Sequence, residues 1–155
     1  MILGISLAQE LPEINLENWF SHPEIVEIRK IYAELQSKIK TGALLELNQT
    51  DDCGITKKML IESGVPRYYS FETGSDDSLL NYEFYYDQNR KLRFAFIKAG
   101  ATNGTVLEHR IYFKDDAKIW EIQSLVEGPG YTFPEIWPEE FIAYDAAAAF
   151  NANCK

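Results

Sequence analysis

The chain has little of what makes chemistry easy to recognise. It carries two histidines and two cysteines, and His22, Cys53, His109 and Cys154 show none of the short spacings of a tetrahedral site, so no metal is expected. No Gly-x-Gly-x-x-Gly, P-loop or Gly-x-Ser-x-Gly occurs, which removes the usual support for a nucleotide cofactor or a hydrolytic serine. Asp51-Asp52 and Asp76-Asp77 lack the alternating oxygen ligands and distal glutamate of a calcium loop and read as turns. Basic clusters are missing as well. Fifteen Lys and Arg stand against 24 Asp and Glu, the formal charge is −9, and the longest basic run is Lys57-Lys58. A nucleic-acid or anionic-membrane binder needs a cationic footprint, so neither is expected. Apolar runs never approach the ~20 residues of a membrane-spanning helix, which argues against stable membrane insertion. On these absences no catalytic residue and no cofactor is assigned, and the balance is against an enzyme.

The two cysteines stand in polar, irregular settings, Cys53 in Asp51-Asp-Cys-Gly54 and Cys154 beside the C-terminus. Packing on an apolar face does not account for them. Either they are surface thiols, or they bridge and close a loop of on the order of 100 residues. A bridge would point to an oxidising compartment. The segment Met1-Ile-Leu-Gly-Ile-Ser-Leu-Ala8 points the same way: Ser6 and Ala8 follow an apolar run with the spacing that signal peptidase prefers, and Gln9 would open the mature chain. It lacks a basic n-region and is short for a signal, so residues 1–8 are read as the remnant of a signal peptide, the alternative being an ordinary apolar first strand. Residues 9–155 then form one domain, expected to be periplasmic or secreted.

What is present is a core and a pattern. At 46% hydrophobic and 14% aromatic residues the chain can bury a substantial interior. Residues 83–94, Glu83-Phe-Tyr-Tyr-Asp-Gln-Asn-Arg-Lys-Leu-Arg-Phe94, are echoed by Arg110-Ile-Tyr-Phe-Lys-Asp-Asp-Ala-Lys-Ile-Trp-Glu121. Each is an aromatic strand, a polar turn, a lysine and a second strand, which predicts successive hairpins of one antiparallel sheet. Ser21-His-Pro-Glu24 reads as a capping box with proline in the first turn. It opens a helix whose Ile25, Ile28, Tyr32, Leu35 and Ile39 form one stripe, with Gly42 as its stop. Strands are expected near 67–72, 79–86, 91–98, 105–113 and 118–126, with one or two edge strands between 44 and 61. Pro138, Glu139 and Glu140 are expected to open a second helix running to about Phe150. The fold class is therefore α+β: an amphipathic helix on an antiparallel meander of five to six strands, with a short C-terminal helix.

Alternation assigns Leu80, Tyr82, Phe84 and Tyr86, then Leu92, Phe94 and Phe96, then Leu107, Ile111 and Phe113 to the face under the first helix. The opposite face would stay wet and show Asn81, Glu83, Tyr85, Arg93, Glu108, Arg110, Tyr112 and Trp120. Together with Tyr131, Phe133 and Trp137 of the Pro/Gly/aromatic segment 128–138, these are the candidate ligand or partner residues, because exposed aromatics and arginines dominate interface energetics. Glu83 and Glu108 are the one carboxylate pair worth weighing for acid/base work, and neighbouring arginines make a cross-strand ion-pair ladder the stronger reading. Helix followed by meander resembles cystatin-like sheets in shape only; none of their binding motifs is present, so no site residue is carried across. Two functions are in play. One is an exported, acidic binding or inhibitory protein, monomeric or weakly dimeric, whose unknown protein partner is of basic character. The other is a small-molecule cup or small enzyme with a pocket between helix and sheet, its polar group supplied by His109 or Glu108.

Overall fold

The computed structural model describes residues 10–133 and 138–154; the expected signal remnant and Trp137 lie outside them. The long helix, α1 (Pro23–Thr41), starts at proline and stops at Gly42, whose left-handed φ of 70° ends the helix without a Cβ penalty. Its N-cap is His22 rather than Ser21. The imidazole Nδ1 accepts from the Glu24 N–H at 3.2 Å, and Nε2–H donates to the Pro12 carbonyl at 2.8 Å. Those two partners, one able only to donate and the other only to accept, require a neutral ring protonated on Nε2. Ser21 is drawn away by a single 3₁₀ turn, Trp19–Ser21, where its hydroxyl donates to the Asn18 carbonyl at 3.3 Å.

Seven strands follow among the described residues: β1 (Leu45–Thr50), β2 (Thr56–Glu62), β3 (Val65–Gly74), β4 (Ser78–Tyr86), β5 (Leu92–Ala101), β6 (Val106–Lys114) and β7 (Ala117–Glu127). They form one antiparallel meander in sequence order. The count exceeds the expected five to six because the polar edge strand β1 continues to Thr50 and pairs along its whole length with β2. Neither strand announces itself by clean alternation.

A buried core lies on each side of the sheet. Helix α1 sets Ile25, Ile28 and Leu35 on a row made of Leu60, Tyr68, Tyr85, Phe94 and Tyr112. The other side holds Met59, Tyr69, Tyr82, Phe84, Tyr86, Leu92, Ala95, Ile97, Ile111 and Phe113, and it is covered by Ile142, Ala143, Ala146 and Phe150 from the C-terminal tail. So the strand residues expected beneath the helix lie mostly beneath the tail, and α1 occupies the face expected to be wet. The tail also departs from a single helix. A 3₁₀ turn, Glu139–Phe141, leads into an extended link, and α2 (Ala146–Asn151) begins only where the Asp145 side chain accepts from the Ala148 N–H at 3.0 Å. The tail is pinned at several points: the Tyr86 hydroxyl donates to the Ala143 carbonyl, the buried Lys57 ammonium donates to the Ala149 and Ala152 carbonyls at 2.9 and 2.8 Å, and Cys154 is bonded to Cys53.

Bulges explain why alternation fails. Pairing runs Tyr85↔Phe94 then Tyr86↔Leu92, leaving Arg93 unpaired, so Leu92 faces the tail while Phe94 and Phe96 face the helix. The same irregularity recurs in two other hairpins, β2–β3 and β6–β7. Leu60↔Tyr68 then Ile61↔Pro66 leaves out Arg67, and Tyr112↔Trp120 then Phe113↔Lys118 leaves out Ile119. The hairpin unit legible twice in the sequence is thus present three times in the backbone.

Candidate functional site: an aromatic cleft beside a half-covered sheet face

The helix-side face changes character from one row of cross-strand neighbours to the next. Nearest the hairpin turns, the aromatic row Tyr68↔Tyr85↔Phe94↔Tyr112↔Trp120 lies under α1 and the residues before it. The next row, Ser70↔Glu83↔Phe96↔Arg110↔Ile122, is for the most part half-buried. The third, Glu72↔Asn81↔Lys98↔Glu108↔Ser124, is the most open, with Glu72, Lys98 and Ser124 exposed. Helix cover therefore runs out across the sheet, and roughly half of this face stays accessible.

The sequence-derived candidates divide along that gradient. Tyr85 and Tyr112 are not surface residues, at 0% and 3% exposure. Tyr85 accepts from Gln36 Nε2 at 2.6 Å and packs on Tyr32, Tyr68 and Phe94, and Tyr112 packs on Phe94 and Trp19. Burial raises the ionisation of Tyr68 and Tyr85, and the nearby Glu83 charge adds to it. Arg93 is the bulge residue, nearly buried, donating to the Phe113 carbonyl and lying 3.5 Å from Asp87. Trp120 stacks on Trp19 at 6.3 Å, and its indole N–H meets no acceptor among the described residues. Glu83 accepts from the Tyr68 hydroxyl at 2.8 Å. Glu108 and Arg110 pair at 2.7 Å along one strand rather than across two. Glu83 and Glu108 are not on neighbouring strands at all, since β5 runs between them, so they form no carboxylate couple.

The 128–138 segment is not a displayed aromatic loop over its described part. Phe133 is buried against Ala99 and Leu107. The half-buried Tyr131 donates its hydroxyl to Asp77 at 2.7 Å, a bond that holds the Asp77 carboxyl below the usual range. Thr105 and Asn103 bond the backbone of Gly130 at 3.0 and 2.9 Å. Nor does a helix–sheet pocket contain His109: that residue is buried on the tail side, with Glu121 Oε2 at 2.9 Å and Gln123 Oε1 at 3.1 Å.

The feature that sequence reasoning missed is a cleft of about 210 Å³ at the N-terminal half of α1, lined by Trp19, Phe20, Arg29, Tyr32, Phe94, Phe96, Arg110, Tyr112 and Ile28. Phe94 and Phe96 stack along β5 to make its floor, and Tyr32 stands edge-on to Phe94 at 5.3 Å. Trp19 and Phe20 close one end. The guanidinium of Arg29 lies over the Phe20 ring at 3.9 Å, and that of Arg110 lies over Phe96 at 4.9 Å. The one advance signal was Trp19-Phe20 directly before a helix start, a staple-like position. Nothing in the sequence links that pair to Phe94 and Phe96.

Among the described residues no group of three or more His, Cys, Asp or Glu side chains is placed to hold a metal ion, and no helix is long and apolar enough to cross a membrane. No protein-family model, no curated protein and no solved structure gives a match to the chain.

Proposed function

We propose that this is a binding protein which docks a protein partner on the uncovered half of the helix-side sheet face. The observation that carries the reading is the placement of Phe96 between two cations, Arg110 at 4.9 Å and Lys98 at 5.7 Å from its ring centre, on a face that α1 leaves open. Leu79, 51% exposed at the far end of β4, extends the apolar part, and Glu72, Asn81, Glu108 and Ser124 make a polar rim. An aromatic and an arginine ringed by polar groups is the composition of an interface centre. The surface is preformed on a rigid sheet, so little ordering free energy is lost on docking. The charge of −9 favours fast, salt-sensitive encounter with a partner of net basic character, whose contact patch carries acidic groups to meet Lys98 and Arg110. Action outside the cytoplasm, in a periplasmic or secreted setting, is supported by the Cys53–Cys154 bond, because such bonds persist where the surroundings are oxidising.

The test compares the protein with a Leu79→Asp/Lys98→Glu variant, both immobilised and exposed to the extracytoplasmic fraction of the source at low salt. A species retained by the first, released by raised salt and lost with the variant supports the face as the dock. The same species on both surfaces, or none on either, removes it.

A further inference from the structure

We infer that the cleft between the start of α1 and strands β5 and β6 is a binding site for a small aromatic carboxylate. This goes beyond the partner face: the two sites share Phe96 and Arg110, but the other walls belong to the cleft alone, and the partner test alters neither Arg29 nor any wall residue.

Four observations specify the ligand. The walls are aromatic, with Phe94, Phe96, Tyr32, Trp19 and Phe20 presenting ring faces and edges to the space between helix and sheet, so a flat apolar group fits by stacking. The space, about 210 Å³, equals roughly seven waters' share of liquid volume and lies below the range of drug-sized pockets, which limits the guest to one or two fused rings.

The third observation is charge. In a chain of formal charge −9, this cleft is flanked by two guanidiniums. Arg29 reaches only the Phe20 carbonyl, at 3.2 Å, and has no ion-pair partner among the described residues. Arg110 spends one nitrogen on Glu108 and keeps the rest of its fork free. Each guanidinium carbon sits over a phenylalanine ring, at 3.9 and 4.9 Å from its centre, a contact that favours one placement of the fork before any ligand arrives. Two positioned forks favour a carboxylate, which matches them in shape and charge. The fourth observation is the pair of hydroxyls on Tyr32 and Tyr112. Neither makes a hydrogen bond within the described residues, and both side chains line the cleft, so a carboxylate oxygen there can accept from either hydroxyl. The neutral hydroxyl is the form available, since burial raises the ionisation of both tyrosines.

The experiment titrates the full, oxidised chain with indole-3-acetate, its neutral amide and tryptamine, following backbone amide and tryptophan indole signals by NMR. The expected result is saturable binding of the acid, with shifts concentrated at 19–20, 28–32, 94–96 and 110–112. The acid should bind about tenfold or more tighter than the amide, the usual advantage of a charge-assisted contact, and tryptamine should not bind. Arg29→Gln and Arg110→Gln should each lower acid affinity by about tenfold while leaving the amide unchanged. Arg29 is on the exposed side of α1, so its variant keeps the test intact if Arg110→Gln fails to fold. Equal affinity for acid and amide, shifts elsewhere on the surface, or no saturation at millimolar acid overturns the inference. The Leu79→Asp/Lys98→Glu variant should bind the acid normally, and Arg29→Gln should keep the protein partner, so each proposal fails on its own evidence.

Discussion

Arg67 and Arg93 do the same work one hairpin apart. Each is the unpaired residue of a bulge, and each Nε–H donates to a carbonyl near the end of the next hairpin's first strand, Tyr86 at 2.9 Å and Phe113 at 3.2 Å. The third equivalent position is Ile119, on the edge strand β7, where there is no further hairpin to join and an apolar side chain takes its place. Bulges here are joints between units, each satisfying a carbonyl that the ladder leaves over.

The two joints should differ in strength because they differ in burial. The Arg67 side chain is 2% exposed and also bonds Glu62, whereas that of Arg93 is 11% exposed with looser carboxylate neighbours. Removing Arg67 strands the Tyr86 carbonyl in the core while Glu62 keeps Lys38, and it empties the space of a buried side chain, so Arg67→Ala should lose about 3 kcal/mol of stability. Arg93→Ala should lose about 1–2 kcal/mol. Urea unfolding at fixed pH checks the order; equal losses would show that burial does not distinguish the joints.

Alkaline pH should unfold the protein cooperatively. All nine tyrosines have raised ionisation, Tyr69 and Tyr82 pushed up to about 12, with burial the leading cause for all but Tyr131, where the bond to Asp77 leads. The folded chain holds these protons more tightly than the unfolded chain. The stability they contribute is complete below the unfolded value of about 10 and is lost as pH rises above it. Phenolate absorbance should therefore stay low through pH 10 and then appear together with loss of ellipticity. A gradual rise near pH 10 in a folded protein would contradict the buried placement.

Gly128 should be close to irreplaceable. Its φ is +89°, and an added Cβ would stand 2.5 Å from Thr105 Cα and 2.6 Å from the Gly104 carbonyl. Gly128→Ala should cost about 3 kcal/mol through clash and strain together. Gly130→Ala, at φ +111° with nothing within 4 Å, should cost only the strain, about 1–2 kcal/mol. Thermal or urea melts of the pair separate the two contributions.

Replacing both cysteines by serine should reduce stability by up to about 4–5 kcal/mol, because the bond spans a sequence separation of 101 and restricts the unfolded chain over that length. Hydrogen exchange should show α2 and the Ile142–Asp145 link protected less than β4 and β5 in that variant, since the tail is where the constraint acts. Uniform loss across the sheet would place the effect elsewhere.

How far the sequence could be read depended on whether the determining signal was periodic. Helix α1 is legible because Ile25, Ile28, Leu35 and their neighbours repeat at helical spacing and Pro23 and Gly42 punctuate its ends. Two of the three hairpin units are legible through matching side chains. The third is not, because the two-residue Ser63-Gly64 turn carries no lysine and only its backbone bulge marks it. Strict alternation cannot see a bulge, so it groups Leu92 with Phe94 and Phe96. A sheet covered on one side by the tail and on the other, near the hairpin turns, by α1 also has no wholly polar face to alternate against. Tyr85 and Tyr112 therefore read as surface residues on the strength of one hydroxyl each, though most of a tyrosine is apolar ring. The cleft was invisible for a different reason: Trp19 and Phe20 meet Phe94 and Phe96 only through the tertiary fold.

The bond between Cys53 and Cys154 makes everything from β2 to α2 a covalent ring, with α1 and β1 on an arm outside it. A protease that severs a single exposed turn within the ring, Asp115-Asp116 for example, yields two fragments that travel as one molecule until a reductant parts them.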